Sequence, residues 1–308
     1  MGGSALAGVV KVRLAIPLAF LSLTACAGSP PRPLESRPDP VRATAPAHCG
    51  GPGPIEILAA DVAIVIDTST STREPLGVDL DRDGRVGEYR RSEYTDPDDS
   101  LFAVQLAAIE RLVRVATLDG MRFSIVSLAG RKDYPLTDSL TQRVDPRDAR
   151  LESELTDDVA VLETALARVS ERGPDGTSSF VPAMKLALRS LQPDSSAAPK
   201  ARRRVLFLSD SPTLVRYAPA ERTARNDPRL KIEARRALKA GVRFDTFGLG
   251  PAAQAEPPHA LAQIAGATGG TYRAVGDPTG LYCELLATLR VGEPRSVVPT
   301  SDRHGGKQ

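Results

Sequence analysis

From Ile55 to Val291 the chain alternates short apolar runs with amphipathic segments. The runs are VAIVID (Val62–Asp67), RFSIVSL (Arg122–Leu128), RVLFLSD (Arg204–Asp210), VRFDTFGLG (Val242–Gly250) and TYRAV (Thr271–Val275). Several are near-continuous in Val, Ile, Leu and Phe, as strands covered on both faces require. Between them, apolar residues recur at steps of three and four. Leu101, Val104, Leu106, Ala108, Ile109, Leu112 and Val113 form one such face; Val161, Leu162, Ala165, Leu166 and Val169 form another; Val181, Met184, Leu188 and Leu191 a third. A further helix is punctuated by Asp227 as N-cap, Pro228 at its first position and Gly241 as its stop. Its Leu230, Ala234, Ala237 and Leu238 are expected inside, with Lys231, Arg235, Arg236 and Lys239 in solvent. This alternation predicts a single α/β domain over residues 55–292: a doubly wound, mostly parallel sheet with helices on both faces. Ligands of such sheets bind outside the carboxyl ends of the strands.

The first residues read as an address. Lys11 and Arg13 precede an apolar run, Leu14 to Ala25. It is far shorter than the roughly 20 residues that span a bilayer, and has the length of a signal-peptide core. It ends in Leu23-Thr24-Ala25-Cys26, which resembles the bacterial lipobox. The resemblance implies a signal peptide at 1–25, a lipidated Cys26 and a lipid-anchored protein of the bacterial cell envelope. Ala27, not Asp, follows Cys26, which points to the outer membrane more than the inner. Residues 26–54 are rich in Pro, Arg, Ala and Gly without an apolar period, a flexible tether. Residues 293–308 read as a disordered tail. Cys49 and Cys283 remain as an even pair, either bridged or two free thiols; an oxidising compartment favours the bridge.

Composition narrows the chemistry. Forty basic residues against 38 acidic ones leave a net charge of +2 over 308 residues, no electrostatic footprint for nucleic acid or an anionic membrane. Three Cys and three unclustered His exclude a Cys/His zinc module, and 4% aromatic residues with no Trp argue against a stacking groove. There is no G-x-S-x-G elbow and no P-loop. Gly248-Leu249-Gly250 is followed by Pro251, Pro257 and Pro258, which bar a dinucleotide-binding helix. His48, His259 and His304 fall in tether, loop and tail, so no general base is visible and the chain does not read as an enzyme.

What remains is oxygen. The first apolar run leads directly into Asp67, Ser69 and Ser71 at alternate positions. A carboxylate and two hydroxyls leaving one strand end suit a hard cation, not zinc or copper. Asp175-Gly176-Thr177 opens the helix of Met184, and Asp210 ends another apolar run. Together these resemble the von Willebrand factor type A domain and its metal-ion-dependent adhesion site. The resemblance implies a Mg²⁺ site (or Mn²⁺ or Ca²⁺) built by Asp67, Ser69, Ser71, Thr177 and Asp210. Ser211-Pro212 stands where that family usually has Gly. The larger departure is an acidic insertion over residues 72–99. It contains Asp79, Asp81, Asp83 and Gly84, the start of an EF-hand-type loop, with Val86 at the place of an apolar anchor. Arg90 replaces the closing Glu. Glu88, or one of Glu93, Asp96, Asp98 and Asp99, is the candidate substitute, so the insertion reads as a Ca²⁺ loop or as an acidic solvated flap.

The resemblance implies cation-dependent binding of a protein partner that presents an acidic residue, for adhesion or scaffolding. Membrane contact is expected through the lipid anchor only, with no nucleic-acid partner. Two alternatives stand beside this: a closed, purely structural metal site, or an accessory subunit of an envelope enzyme.

Overall fold

The structure, a computed structural model, describes residues 49, 60–90, 93–94, 96–117, 120–128, 149–176, 178, 180–192, 202–210, 228–250 and 260–289. Cys26, Thr177, Ser211, Pro212, Asp227 and the tail at 293–308 lie outside these, as does the tether apart from Cys49.

Six strands form one sheet: β1 (Ala60–Asp67), β4 (Arg122–Leu128), β5 (Ala149–Thr156), β6 (Arg202–Ser209), β7 (Val242–Leu249) and β8 (Tyr272–Val275). Their order is β5-β4-β1-β6-β7-β8. All neighbours are parallel except the β4–β5 pair at one edge. The chain starts in the middle and winds outward both ways, so the β1 carboxyl end lies at the reversal of strand order where such sheets bind ligands. A separate antiparallel pair, β2 (Tyr89–Arg90) and β3 (Glu93–Tyr94), belongs to the insertion.

β1 shows why the alternating pattern gives two layers of core. All eight of its residues are buried. Val62, Ile64 and Ile66 pack on one face with α1 (Leu101–Ala116), α2 (Val159–Arg172) and α6 (Leu281–Leu289). Ala63 and Val65 pack on the other with α3 (Phe180–Ser190), α4 (Pro228–Lys239) and α5 (Ala260–Thr268). Ser100 caps α1, its Oγ accepting from the Ala103 N–H at 3.2 Å, and Asp158 caps α2. Among the described residues no helix is long and apolar enough to cross a membrane.

Three details depart from the sequence reading. Val161 and Leu238 are 46% and 57% exposed, not inside. Leu238 sits seven residues from Lys231, about two full turns, and so shares the solvent face of Lys231 and Arg235. The strand β5 has no apolar run to announce it. Its buried positions include Glu152, which accepts from Ser127 Oγ at 2.6 Å and pairs with Arg172. An edge strand needs less apolar surface than a central one, and here an ion pair fills the place of a hydrophobic side chain.

Cys49 is bonded to Cys283 of α6, with a Cα–Cα distance of 5.2 Å, and both pack against the α1/α2/α6 layer. At the other edge of the sheet, Gly270 lies so close to β7 that a Cβ would sit 2.0 Å from the Phe244 carbonyl oxygen. Gly270→Ala is therefore expected to force β7 and β8 apart, costing about 1–3 kcal/mol. Urea unfolding checks this, and a midpoint equal to wild type would show the strands can yield freely.

Candidate metal centre

The fold delivers Asp67 to the carboxyl end of β1, where the chain leaves the sheet in a short 3₁₀ turn, Thr70–Arg73. Asp67 is wholly buried. Its Oδ1 accepts from the Ser69 N–H at 2.8 Å, and its Oδ2 from the Ser209 and Ser178 hydroxyls, the latter at 3.5 Å. Ser69 Oγ and Ser71 Oγ are 3.0 Å apart, and Ser71 Oγ donates to Asp210 Oδ1 at 3.0 Å. Asp67, Ser69, Ser71 and Asp210 thus meet in one continuous oxygen network, although Asp210 stands 139 positions from Ser71 in the chain.

The loop after α2 is pinned beside this network. Thr70 N–H donates to the Gly176 carbonyl at 3.0 Å, and Asp175 N–H to the Thr68 carbonyl at 2.8 Å. Gly176 has φ of +85°, a conformation glycine adopts without strain. Thr177 follows directly but is not among the described residues. Underneath, Gln105 of α1 is fully buried, its Nε2 donating at 3.4 Å to the Asp67 carbonyl and the Leu101 carbonyl. Ser178, Ser209 and Gln105 were not singled out in the sequence. Ser209 had one available signal: it immediately precedes Asp210 at the end of a strand.

The donor set fits a hard divalent cation. Every side-chain group in the network is an oxygen, two of them carboxylates, and both carboxylates are buried. Burial pushes the Asp67 carboxyl up from its usual range, against the hydrogen bonds from Ser209, Ser69 and Ser178 that pull it down. A buried carboxylate in that position gains from a cation that restores the stabilisation lost with water. Asp67, Ser69, Ser71 and Asp210 are the side chains that would hold it.

The insertion forms a second cluster, which joins Asp79 and Asp81 to Asp99, one of the candidates for the closing position. Both ends are clamped: Leu76 N–H donates to the Asp99 carbonyl, Leu101 N–H to the Glu74 carbonyl, and Pro75 bridges Ser100. Oxygens of Asp79, Asp81 and Asp99 lie within 4.8 Å of one another, as do those of Asp81, Asp96 and Asp98. Asp83 and Glu88 are not gathered. Asp83 turns back to accept from its own neighbour, Arg85 N–H, and Glu88 is exposed. Asp99 takes the closing place instead, buried and accepting from Leu80 N–H and Gly87 N–H. The reason is steric: Gly87 lets residues 96–99 lie directly on the loop, since a Cβ there would meet Asp96 O at 3.0 Å and Asp99 Cβ at 3.2 Å. Val86, 45% exposed, does not act as an anchor.

Two observations fit this cluster to a cation. Asp79 Oδ1 is enclosed with no hydrogen-bond donor. Asp81 is pulled down by the Asp83 N–H but raised on balance by burial and by the charges of Asp83, Asp96 and Asp99, the mark of uncompensated negative charge.

The central-start winding and the single antiparallel edge define the class: a fold of the von Willebrand factor A type, with a cluster of oxygen ligands at the end of β1 that would suit a hard cation. Solved structures to which the chain is similar include BatB from Bacteroides thetaiotaomicron, at 16% identity over 75% of this chain and 97% of that one, with a TM-score of 0.48. The SpRpn10 VWA domain is similar at 14% identity, 75% and 94% coverage and a TM-score of 0.47. Proximal thread matrix protein 1 of the mussel byssus, with a zinc-occupied MIDAS motif, is similar at 16% identity and a TM-score of 0.45, over 76% of this chain and 46% of that one. No protein-family model matches the chain. No curated protein matches it.

Proposed function

We propose that this is a lipid-anchored protein of the bacterial cell envelope that binds an acidic residue of a protein partner through a divalent cation, and that it is not an enzyme. The carrying observation is the joining of Asp67, Ser69, Ser71 and Asp210 in one oxygen network at the carboxyl end of the sheet. When bound, Mg²⁺ supplies an electrophilic position that a carboxylate from outside can fill. The chain's own groups hold that position rigidly: Ser209 and Ser178 fix the Asp67 carboxylate, and Ser71 is set against Asp210. The lipobox at Cys26 supports the location. Pull-down from envelope extract in Mg²⁺, in EDTA and with Asp67→Ala tests the reading. Wild type in Mg²⁺ should capture a set of proteins that both other conditions lose; identical sets in all three overturn it.

The insertion we read as a Ca²⁺ site with Asp79, Asp81 and Asp99 at its centre. Asp81→Asn keeps the shape of the side chain and is expected to weaken Ca²⁺ binding at least tenfold, about 1.4 kcal/mol. Asp83→Asn is expected to change it by less than about threefold, about 0.7 kcal/mol. Calorimetric Ca²⁺ titration of both variants checks the assignment, and the reverse ranking restores the sequence-based ligand set.

A further inference from the structure

The near-neutral net charge averages over two unlike ends. The carboxyl ends of the strands carry Asp67, Asp210 and the acidic insertion. The other end, and the face covered by α4, is basic. Lys231, Arg235, Arg236 and Lys239 are exposed on α4, and Arg202 and Arg243 are exposed where β6 and β7 begin. Among the described residues from 180 to 268 the only acids are Asp210, Glu233 and Asp245, and all three are buried. Glu233 pairs with Arg236 and Asp245 with Arg204, so neither shows negative charge to solvent.

Helix α4 has two further features. Lys231, Arg235 and Lys239 follow at i, i+4 and i+8, stacking like charges along one line at a cost in helix stability. Ile232 and Leu238, 46% and 57% exposed, lie on the same face. At about 100° per residue, these five residues and Arg236 share roughly half the helix circumference. A row of cations flanked by exposed aliphatic side chains is the surface of a helix lying at a headgroup boundary, where charge meets lipid phosphate and the aliphatic groups leave water.

We propose that the α4 face is a docking surface for anionic lipid headgroups. The lipid-anchor reading enters only in bringing a bilayer within reach. Cys26 stands 23 positions before Cys49, so a lipid anchor keeps a bilayer within reach without dictating which face of the domain meets it. The basic face fixes the orientation. Helix α4 joins the parallel strands β6 and β7 and so runs alongside the sheet. Docking through it lays the strands along the membrane and leaves the acidic carboxyl ends at the side, open to a partner. Lipid is favoured over nucleic acid because the exposed Ile232 and Leu238 gain nothing from a phosphodiester groove.

The test is vesicle flotation in EDTA, using the full chain carrying Cys26→Ser, so that neither lipidation nor a bridging metal contributes. Residues 14–25 contribute equally on any bilayer, so the difference between phosphatidylglycerol-containing and pure phosphatidylcholine vesicles isolates the charge effect. The chain should prefer the anionic vesicles and lose that preference in high salt. Lys231→Gln with Arg235→Gln and Lys239→Gln should lower anionic partitioning about a hundredfold, roughly fivefold for each cation. Ile232→Ser with Leu238→Ser should weaken it without altering the salt dependence. Far-UV circular dichroism and recovery of the Cys49–Cys283 linked peptide confirm that the variants fold. Equal partitioning on the two vesicles, or no effect of the triple change, overturns the proposal. So does tighter capture of a DNA duplex than of vesicles, unaffected by the two serine changes. The lipid-anchor reading fails separately, if the mature wild-type N-terminus has an unmodified mass.

Discussion

Replacing both Cys49 and Cys283 by Ser is expected to lower the free energy of unfolding by as much as about 5 kcal/mol. The two cysteines lie 234 positions apart, so the bond closes nearly the whole folded chain into one loop. Without the bond, the unfolded chain recovers the entropy of that loop, while the folded state loses only a partly buried contact against the α1/α2/α6 layer. Residual structure in the unfolded chain shrinks the effect, so the figure is an upper bound. For a domain of this size it corresponds to a fall of roughly 10–20 °C in melting temperature. Calorimetry of wild type and double variant in EDTA measures it. A fall of less than about 3 °C would mean that the bond constrains little.

The second large effect is on cation-linked stability. Any ligand that binds only the folded state stabilises it, by about 2.7 kcal/mol at one hundred times its dissociation constant. Mg²⁺ at that level should therefore raise the melting temperature by roughly 5–10 °C. Asp67→Ala should abolish the rise. The comparison is made in an Asp81→Asn background, which removes the insertion's contribution. The melting temperature of Asp67→Ala in EDTA is a separate quantity, because two opposed terms set it. The variant removes the acceptor of the buried Ser69 N–H and of the Ser178 hydroxyl, at about 1–3 kcal/mol for a buried group left unmade. It also removes a carboxylate whose charge burial disfavours. Only the Mg²⁺-dependent increment bears on the metal. If Asp67→Ala keeps that increment, Asp67 is not a ligand.

The central strands were legible because a strand buried on both faces is mostly apolar, and β1, β4, β6 and β7 each carry a run dominated by Val, Ile, Leu and Phe. Helices α1 to α4 announced themselves through spacing, except where Val161 and Leu238 added apolar residues to exposed faces; α5 and α6, nine residues each, are too short to show such a period clearly. The strand β5 was hidden because it lies at an edge and buries a glutamate paired with arginine. The metal loop was legible in part. Asp67, Ser69 and Ser71 follow one strand directly, so spacing alone puts them together; Ser178 and Ser209 reach Asp67 only through the fold.

The sequence by itself determined the α/β alternation, the oxygen-only character of the site and the attachment of the insertion next to it. These depend on local order, since neighbours in the chain remain neighbours in any fold. Tertiary structure decided which distant groups complete each cluster. It set Asp210 against Ser71, brought Asp99 to Asp79 and Asp81 in place of Asp83 and Glu88, and joined Cys49 to Cys283. It also sorted an almost neutral set of charges into an acidic end and a basic face. Counting charges along the chain cannot register that separation, because a sum is blind to position and the field at a surface depends on position.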